Sequence, residues 1–147
     1  MTKSEKALEL FENGFNCSQA VLTAFAADFG LNEKLALMIG TQFGGGARNG
    51  EMCGAVSGAL MVLGLKHGHY ESDNIEQKSR AYSIASEYTK RFKEINGSIV
   101  CRDLLGYDLT IPEDMACIKE KNLFGKVCPE MIKSAVEVLE GILADYQ

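Results

Sequence analysis

At 147 residues with 46% apolar content, the chain is long enough to bury a real core in one domain. Its net charge of -5 excludes a general nucleic-acid-binding surface. Five cysteines, an odd number, exclude a fully paired disulfide scaffold. No two are spaced C-x-x-C, which excludes a thioredoxin-type motif, a zinc ribbon and covalent c-type haem.

Apolar residues recur at spacings of three and four, and proline is nearly absent. Residues 1–147 therefore read as a single all-α domain, a helical bundle of about five main helices plus short ones, with no sheet. The first helix is expected over about Thr2–Glu12, stopped by Asn13-Gly14. It is charged and amphipathic, with no secretory h-region, so a cytoplasmic location is expected. Asn16, with Gln19 three residues on, forms a capping box for a second helix that holds Cys17 in its first turn and runs to about Asp28. Asn32 caps a third, about Glu33–Phe43.

The stretch Gly44–Leu65 is the most unusual in the chain. Gly44, Gly45 and Gly46 precede Arg48, and Asn49-Gly50-Glu51 suggests a helix start. Cys53 would then fall inside the first turn of a nearly all-apolar helix from Gly50 to about Lys66. This helix is too short to span a bilayer, so no membrane insertion is expected. Gly54 and Gly58 are four apart and share a face, open to close approach of another helix backbone or of a cofactor. His67 and His69 follow; a histidine there most often serves as a cation at a helix C-terminus.

The longest helix is expected over about Asp73–Ile95. Ala81, Ala85, Tyr88, Phe92 and Ile95 make a seam that would pack along another helix, in this chain or in the second subunit of a homodimer. Ser98 can cap a short helix with Cys101 near its third position, ended by Gly106. Pro112 begins another, to about Asn122, with Cys117 on its apolar side as core filler. Cys128 is the expected N-cap of the last helix, about Pro129–Asp145.

Four of the five cysteines, Cys17, Cys53, Cys101 and Cys128, thus fall at or within the first turn of an expected helix. The partial positive charge and free N–H groups there favour a thiolate. Arg48, Arg102 and Lys126 are close in sequence to three of these thiols and would add to the effect. Low-pKa thiolates serve both thiol exchange and metal ligation.

The run Cys53-Gly54-Ala55-Val56-Ser57-Gly58 matches C-G-A-x-x-G. It is flanked by Asn16-Cys17-Ser18-Gln19 upstream and by Cys101-Arg102-Asp103-Leu104-Leu105 and Val127-Cys128-Pro129 downstream. With these blocks the chain resembles the C_GCAxxG_C_C family of redox-active proteins over nearly its whole length. The resemblance implies Cys17, Cys53, Cys101 and Cys128 as the functional set and leaves out Cys117. A similar region occurs in split-Soret cytochromes, multihaem proteins that also carry an iron–sulfur centre. This chain lacks C-x-x-C-H, so haem is not carried over, whereas an iron–sulfur site stays open.

The expected function is thiol/disulfide or electron-transfer chemistry, through the thiols themselves or a bound iron–sulfur cluster, with an unidentified redox partner. Cys53 would be the central sulfur, Cys101 and Cys128 its partners and Cys17 a further member. One alternative is a carrier or sensor holding a zinc or iron ion on the same cysteines. Another is a binder of an anionic small molecule at Gly44, Gly45, Gly46 and Arg48.

Overall fold

A computed structural model describes residues 1–147, and the architecture is all-helical. Its centre is α2 (Cys17–Ala26), in which every residue except Gln19 is buried. The capping box at its start is formed: the Gln19 amide donates to Asn16 Oδ1 (2.9 Å) and the Asn16 amide donates to Gln19 Oε1 (2.8 Å). The same two side chains reach across to the end of α3 (Glu33–Gly40). Gln19 Nε2 donates to the Leu37 carbonyl and Asn16 Nδ2 to that of Thr41, each at 2.9 Å. The start of α2 is thereby held on both sides. Helix α1 (Lys3–Glu12), with its own Thr2–Glu5 capping box, packs on α2.

Helix α4 (Gly54–His67) lies alongside α2. A Cβ at Gly58 would lie 2.8 Å from the Ser18 carbonyl oxygen, so glycine is what allows the two backbones to approach. The long α5 (Ile75–Asn96) and the C-terminal α9 (Cys128–Asp145) close the bundle. Between them the Tyr88 hydroxyl donates to the Ala135 carbonyl at 2.9 Å, which allows a wholly buried tyrosine. No helix is long and apolar enough to cross a membrane.

A second, smaller apolar cluster is set apart from this core. It gathers Cys101, Leu105 and Ile118 from α6 (Cys101–Leu105) and α7 (Pro112–Glu120). Phe124 of α8 (Leu123–Lys126), with Val127 and Cys128, packs against it. The chain therefore has a main bundle and a small helical cap joined through α9.

Several expected boundaries and roles change. The central helix begins at Gly54, not Gly50, because residues 45–48 turn left-handed and delay it. Cys53 is consequently its N-cap. Cys101 is the first residue of α6, with Val100 as N-cap; Ser98 Oγ instead accepts from the Val100 amide at 2.9 Å. Cys128 is the first residue of α9 rather than its cap. Cys117 is half-exposed, since Ile118 takes the inward position on α7. The α5 seam runs through Ile84, Tyr88 and Phe92, while Ile95 is 66% exposed: a straight helix turns it out of line. His67 is buried rather than a solvated helix-end cation.

Candidate functional site

A cavity of about 220 Å³ opens where the main bundle meets the cap, and Cys17, Cys53, Cys101 and Cys128 all line it. Two sulfurs come from the main core and two from the cap cluster. Cys117 does not reach it. The remaining walls are mostly apolar, including Phe11, Leu104, Met115, Phe124 and Met131, with Arg48 as the only cationic side chain. The space is below the roughly 300–1,000 Å³ of typical ligand pockets, so a dinucleotide is excluded and a small molecule or single side chain fits.

Local backbone geometry explains how distant cysteines meet. The extended segment at Met52 makes an antiparallel bridge to Val100. The Cys53 amide donates to the Ile99 carbonyl at 2.7 Å, and the Cys101 amide donates to that of Glu51. This clamp sets Cys53 and Cys101 on neighbouring strands of chain. Gly54 then presents no side chain toward Cys17, whose sulfur occupies the space a Cβ would need.

The glycine loop is ordered by an unusual turn. Gly45, Gly46, Ala47 and Arg48 have φ of 65°, 64°, 57° and 63°, four successive left-handed residues. For Ala47 and Arg48 this costs about 1–2 kcal/mol each. The turn places the Gly45 amide at the Cys17 sulfur and the Arg48 guanidinium at the cavity, where Nη1 donates to the Gly44 carbonyl at 3.2 Å. Of the expected loop and helix positions, Gly45, Arg48 and Gly54 line the cavity. Gly44 abuts the Asn16 side chain, Gly46 abuts Glu51 backbone and Gly58 abuts α2, so these three act in packing.

The four thiols are not electrostatically alike. The Cys17 pKa is lowered to about 7, first because the Cys53 thiol is hydrogen-bonded to it. The amides of Gly45 and Ser18 reinforce the effect against the opposing cost of burial. Cys53 is driven well above the usual thiol range by the same hydrogen bond, by burial and by the Cys17 charge. The pair therefore releases one proton readily and holds the second. Cys101 is pushed up to about 11 and Cys128 to about 12, both first by burial and then by the Cys17 charge. The expectation of a thiolate at every helix start is not met at Cys53, where the Cys17 hydrogen bond leads, nor at Cys101 and Cys128, where desolvation outweighs the helix-terminal field.

The neighbouring cations also differ from expectation. Arg102 is held by Glu51 at 2.8 Å, and Lys126 is exposed outside the cavity; only Arg48 faces the sulfurs. Sequence reasoning placed Cys53 at the centre, whereas the lowered pKa of the coupled Cys17–Cys53 pair falls on Cys17. The signal was the Asn16–Gln19 capping box, which fixes Cys17 at the first residue of a buried helix. The apolar cap walls, Met115, Phe124 and Met131, had no signal of their own, since they belong to three different helices.

As the side chains stand, no three of the His, Cys, Asp and Glu residues are grouped to hold a metal ion. Four sulfurs around one cavity are nonetheless the donor type an iron–sulfur cluster uses.

The model of the family described as "Putative redox-active protein (C_GCAxxG_C_C)" matches residues 15–142. An "Uncharacterized protein" of Archaeoglobus fulgidus is 27% identical over 159 aligned positions, covering 100% of this chain and 99% of that protein. No solved structure matches the chain.

Proposed function

We propose a thiol–disulfide redox function for this chain, which belongs to the C_GCAxxG_C_C family of redox-active proteins, with Cys17 as nucleophile and Cys53 as its resolving partner. What supports this reading is that Cys17 and Cys53 line one small, mostly apolar cavity, where the Cys53 thiol lowers the Cys17 pKa to about 7. Cys17 thiolate attacks one sulfur of a disulfide R–S–S–R′, forming Cys17–S–S–R and releasing R′S⁻, which takes up a proton. Cys53 then attacks the Cys17 sulfur, the Cys17–S–S–R bond breaks, and R–S⁻ leaves, taking the Cys53 proton. Two cysteine thiols are oxidised to one disulfide and the substrate disulfide is reduced to two thiols. Cys101 and Cys128, protonated across the same cavity, form a second dithiol available to later exchange.

Treating the fully reduced native protein with limiting diamide, followed by peptide mapping, tests this reading. The expected result is loss of two thiols and a Cys17–Cys53 linked peptide. Recovery of both as free thiols after oxidation refutes it.

The second reading is a bound iron–sulfur cluster or single metal ion on Cys17, Cys53, Cys101 and Cys128, favoured by the arrangement of four sulfurs round one cavity. An iron–sulfur cluster would supply one-electron transfer, a zinc ion none, and these four cysteines would hold either group. Anaerobic purification with iron, sulfide and zinc quantitation decides between the two readings. Binding of an anion by loop amides has less support, because the Gly45 amide is directed at the Cys17 sulfur.

A further inference from the structure

We propose that the substrate of this cavity is a small disulfide with an apolar flank and a carboxylate or similar anionic group, and that Arg48 selects it by charge. The inference rests on the dithiol reading above and adds to it the chemical class of the molecule that reacts.

Three observations carry it. First, the space is small and its lining is mostly apolar, which favours a compact, apolar body over a polar or peptide-sized one. Second, Arg48 is the cation of that lining and has no carboxylate within ion-pairing distance, its one hydrogen bond being to the Gly44 carbonyl at 3.2 Å. The other arginine beside this region, Arg102, is already held by Glu51. A guanidinium has five donors in a planar fork suited to a carboxylate, so most of the Arg48 donors remain available to a ligand. Third, Arg48 reaches this position through a left-handed backbone at φ 63°, which a non-glycine residue rarely adopts. The same turn aims the Gly45 amide at the nucleophilic Cys17 sulfur. One piece of backbone thus couples the recognising cation to the reacting atom.

The whole chain carries a net charge of -5, so the general field repels anions. A preference for an anionic disulfide would therefore have to come from a local group, and Arg48 is the group in place. The reaction is the exchange already written, with the anionic disulfide as oxidant: its S–S bond breaks, its two halves leave as thiols, and Cys17 and Cys53 become the disulfide.

The test compares two aromatic disulfides, dianionic 5,5′-dithiobis(2-nitrobenzoate) and neutral 4,4′-dithiodipyridine. Their reaction rates with pre-reduced protein at neutral pH are each divided by the rate with a free small thiol. The wild-type protein is expected to favour the anionic probe by about tenfold or more. Arg48→Gly suits the left-handed backbone and should fold. It is expected to bring the ratio near one through loss of the anionic-probe rate. Arg48→Lys should retain part of the preference. An unchanged ratio in Arg48→Gly, or no preference in the wild type, overturns the inference while leaving the dithiol reading intact. Absence of Cys17 adducts and of a Cys17–Cys53 product with both probes would instead remove the dithiol reading itself.

Discussion

Gly54 stands against the Cys17 sulfur so closely that a Cβ at position 54 would lie 2.5 Å from Sγ and 2.9 Å from the Phe43 carbonyl oxygen. The first residue of α4 is thus a spacer for the nucleophile of α2. Its φ is not left-handed, so the requirement for glycine is steric rather than conformational. The displaced atom is a sulfur in a buried, hydrogen-bonded position, and the second neighbour is backbone that cannot turn aside. Gly54→Ala is expected to lower stability by about 1–3 kcal/mol, the usual cost of overpacking. It should also weaken the Cys17–Cys53 contact, slowing Cys17 alkylation at pH 7. Chemical denaturation together with peptide-resolved iodoacetamide labelling checks both; wild-type labelling in a folded variant would deny Gly54 its spacer role.

The unequal ionisation of the Cys17–Cys53 pair gives a pH signature. Cys17 is lowered to about 7 chiefly by the hydrogen bond from Cys53. Cys53→Ala removes that donor and leaves burial as the main remaining influence, so the Cys17 pKa should rise. In the wild type, alkylation of Cys17 should climb through pH 7 and level off. In Cys53→Ala the climb should begin at higher pH, so that reactivity at pH 7 drops by about tenfold or more. An unshifted profile would mean that the Gly45 and Ser18 amides alone set the ionisation.

Much of this site can be traced in the sequence, and the parts that cannot have physical causes. The capping box at Asn16, the proline after Cys128 and the glycine stops are local signals, and local chemistry is enough to place the helices they bound. The delayed start of α4 is not local. Asn49-Gly50-Glu51 has the composition of a helix start, but the Glu51 carbonyl is taken by the Cys101 amide, a partner far along the chain. The same holds for thiol ionisation. A helix start predicts a thiolate, whereas burial between bundle and cap makes Cys101 and Cys128 protonated thiols. Which of four similar thiols is activated depends on contacts between elements, and those are set only when the elements pack.

Cys117 provides an internal control. It is the one cysteine outside the cavity, half-exposed on α7 next to the inward-facing Ile118. Cys117→Ser should change stability by less than about 0.5 kcal/mol. It should leave the thiol count lost on limiting oxidation unchanged, whereas Cys17→Ser and Cys53→Ser should each abolish the intramolecular disulfide. Thiol titration of the three variants before and after diamide separates them; loss of the disulfide in Cys117→Ser would contradict the assignment.

His67 is a buried group that titrates on the acid side of neutrality. It is the last residue of α4 and is buried, and its Nε2 has no hydrogen-bond partner. Burial holds its pKa below the usual 6.5, with the nearby Arg80 and Lys66 charges acting in the same direction and the Tyr146 carbonyl opposing them. As pH falls below about 6.5 the unfolded chain takes up the proton first, so the folded state loses stability. The loss should continue until the folded imidazole is also protonated. His67→Phe keeps an aromatic ring and removes the titrating group along with the unpaired nitrogen. Its stability at pH 7 should equal or exceed that of the wild type, and its decline between pH 6.5 and 5 should be shallower. Urea midpoints for both proteins across that range test this directly, and identical slopes would show that His67 is not the group that titrates.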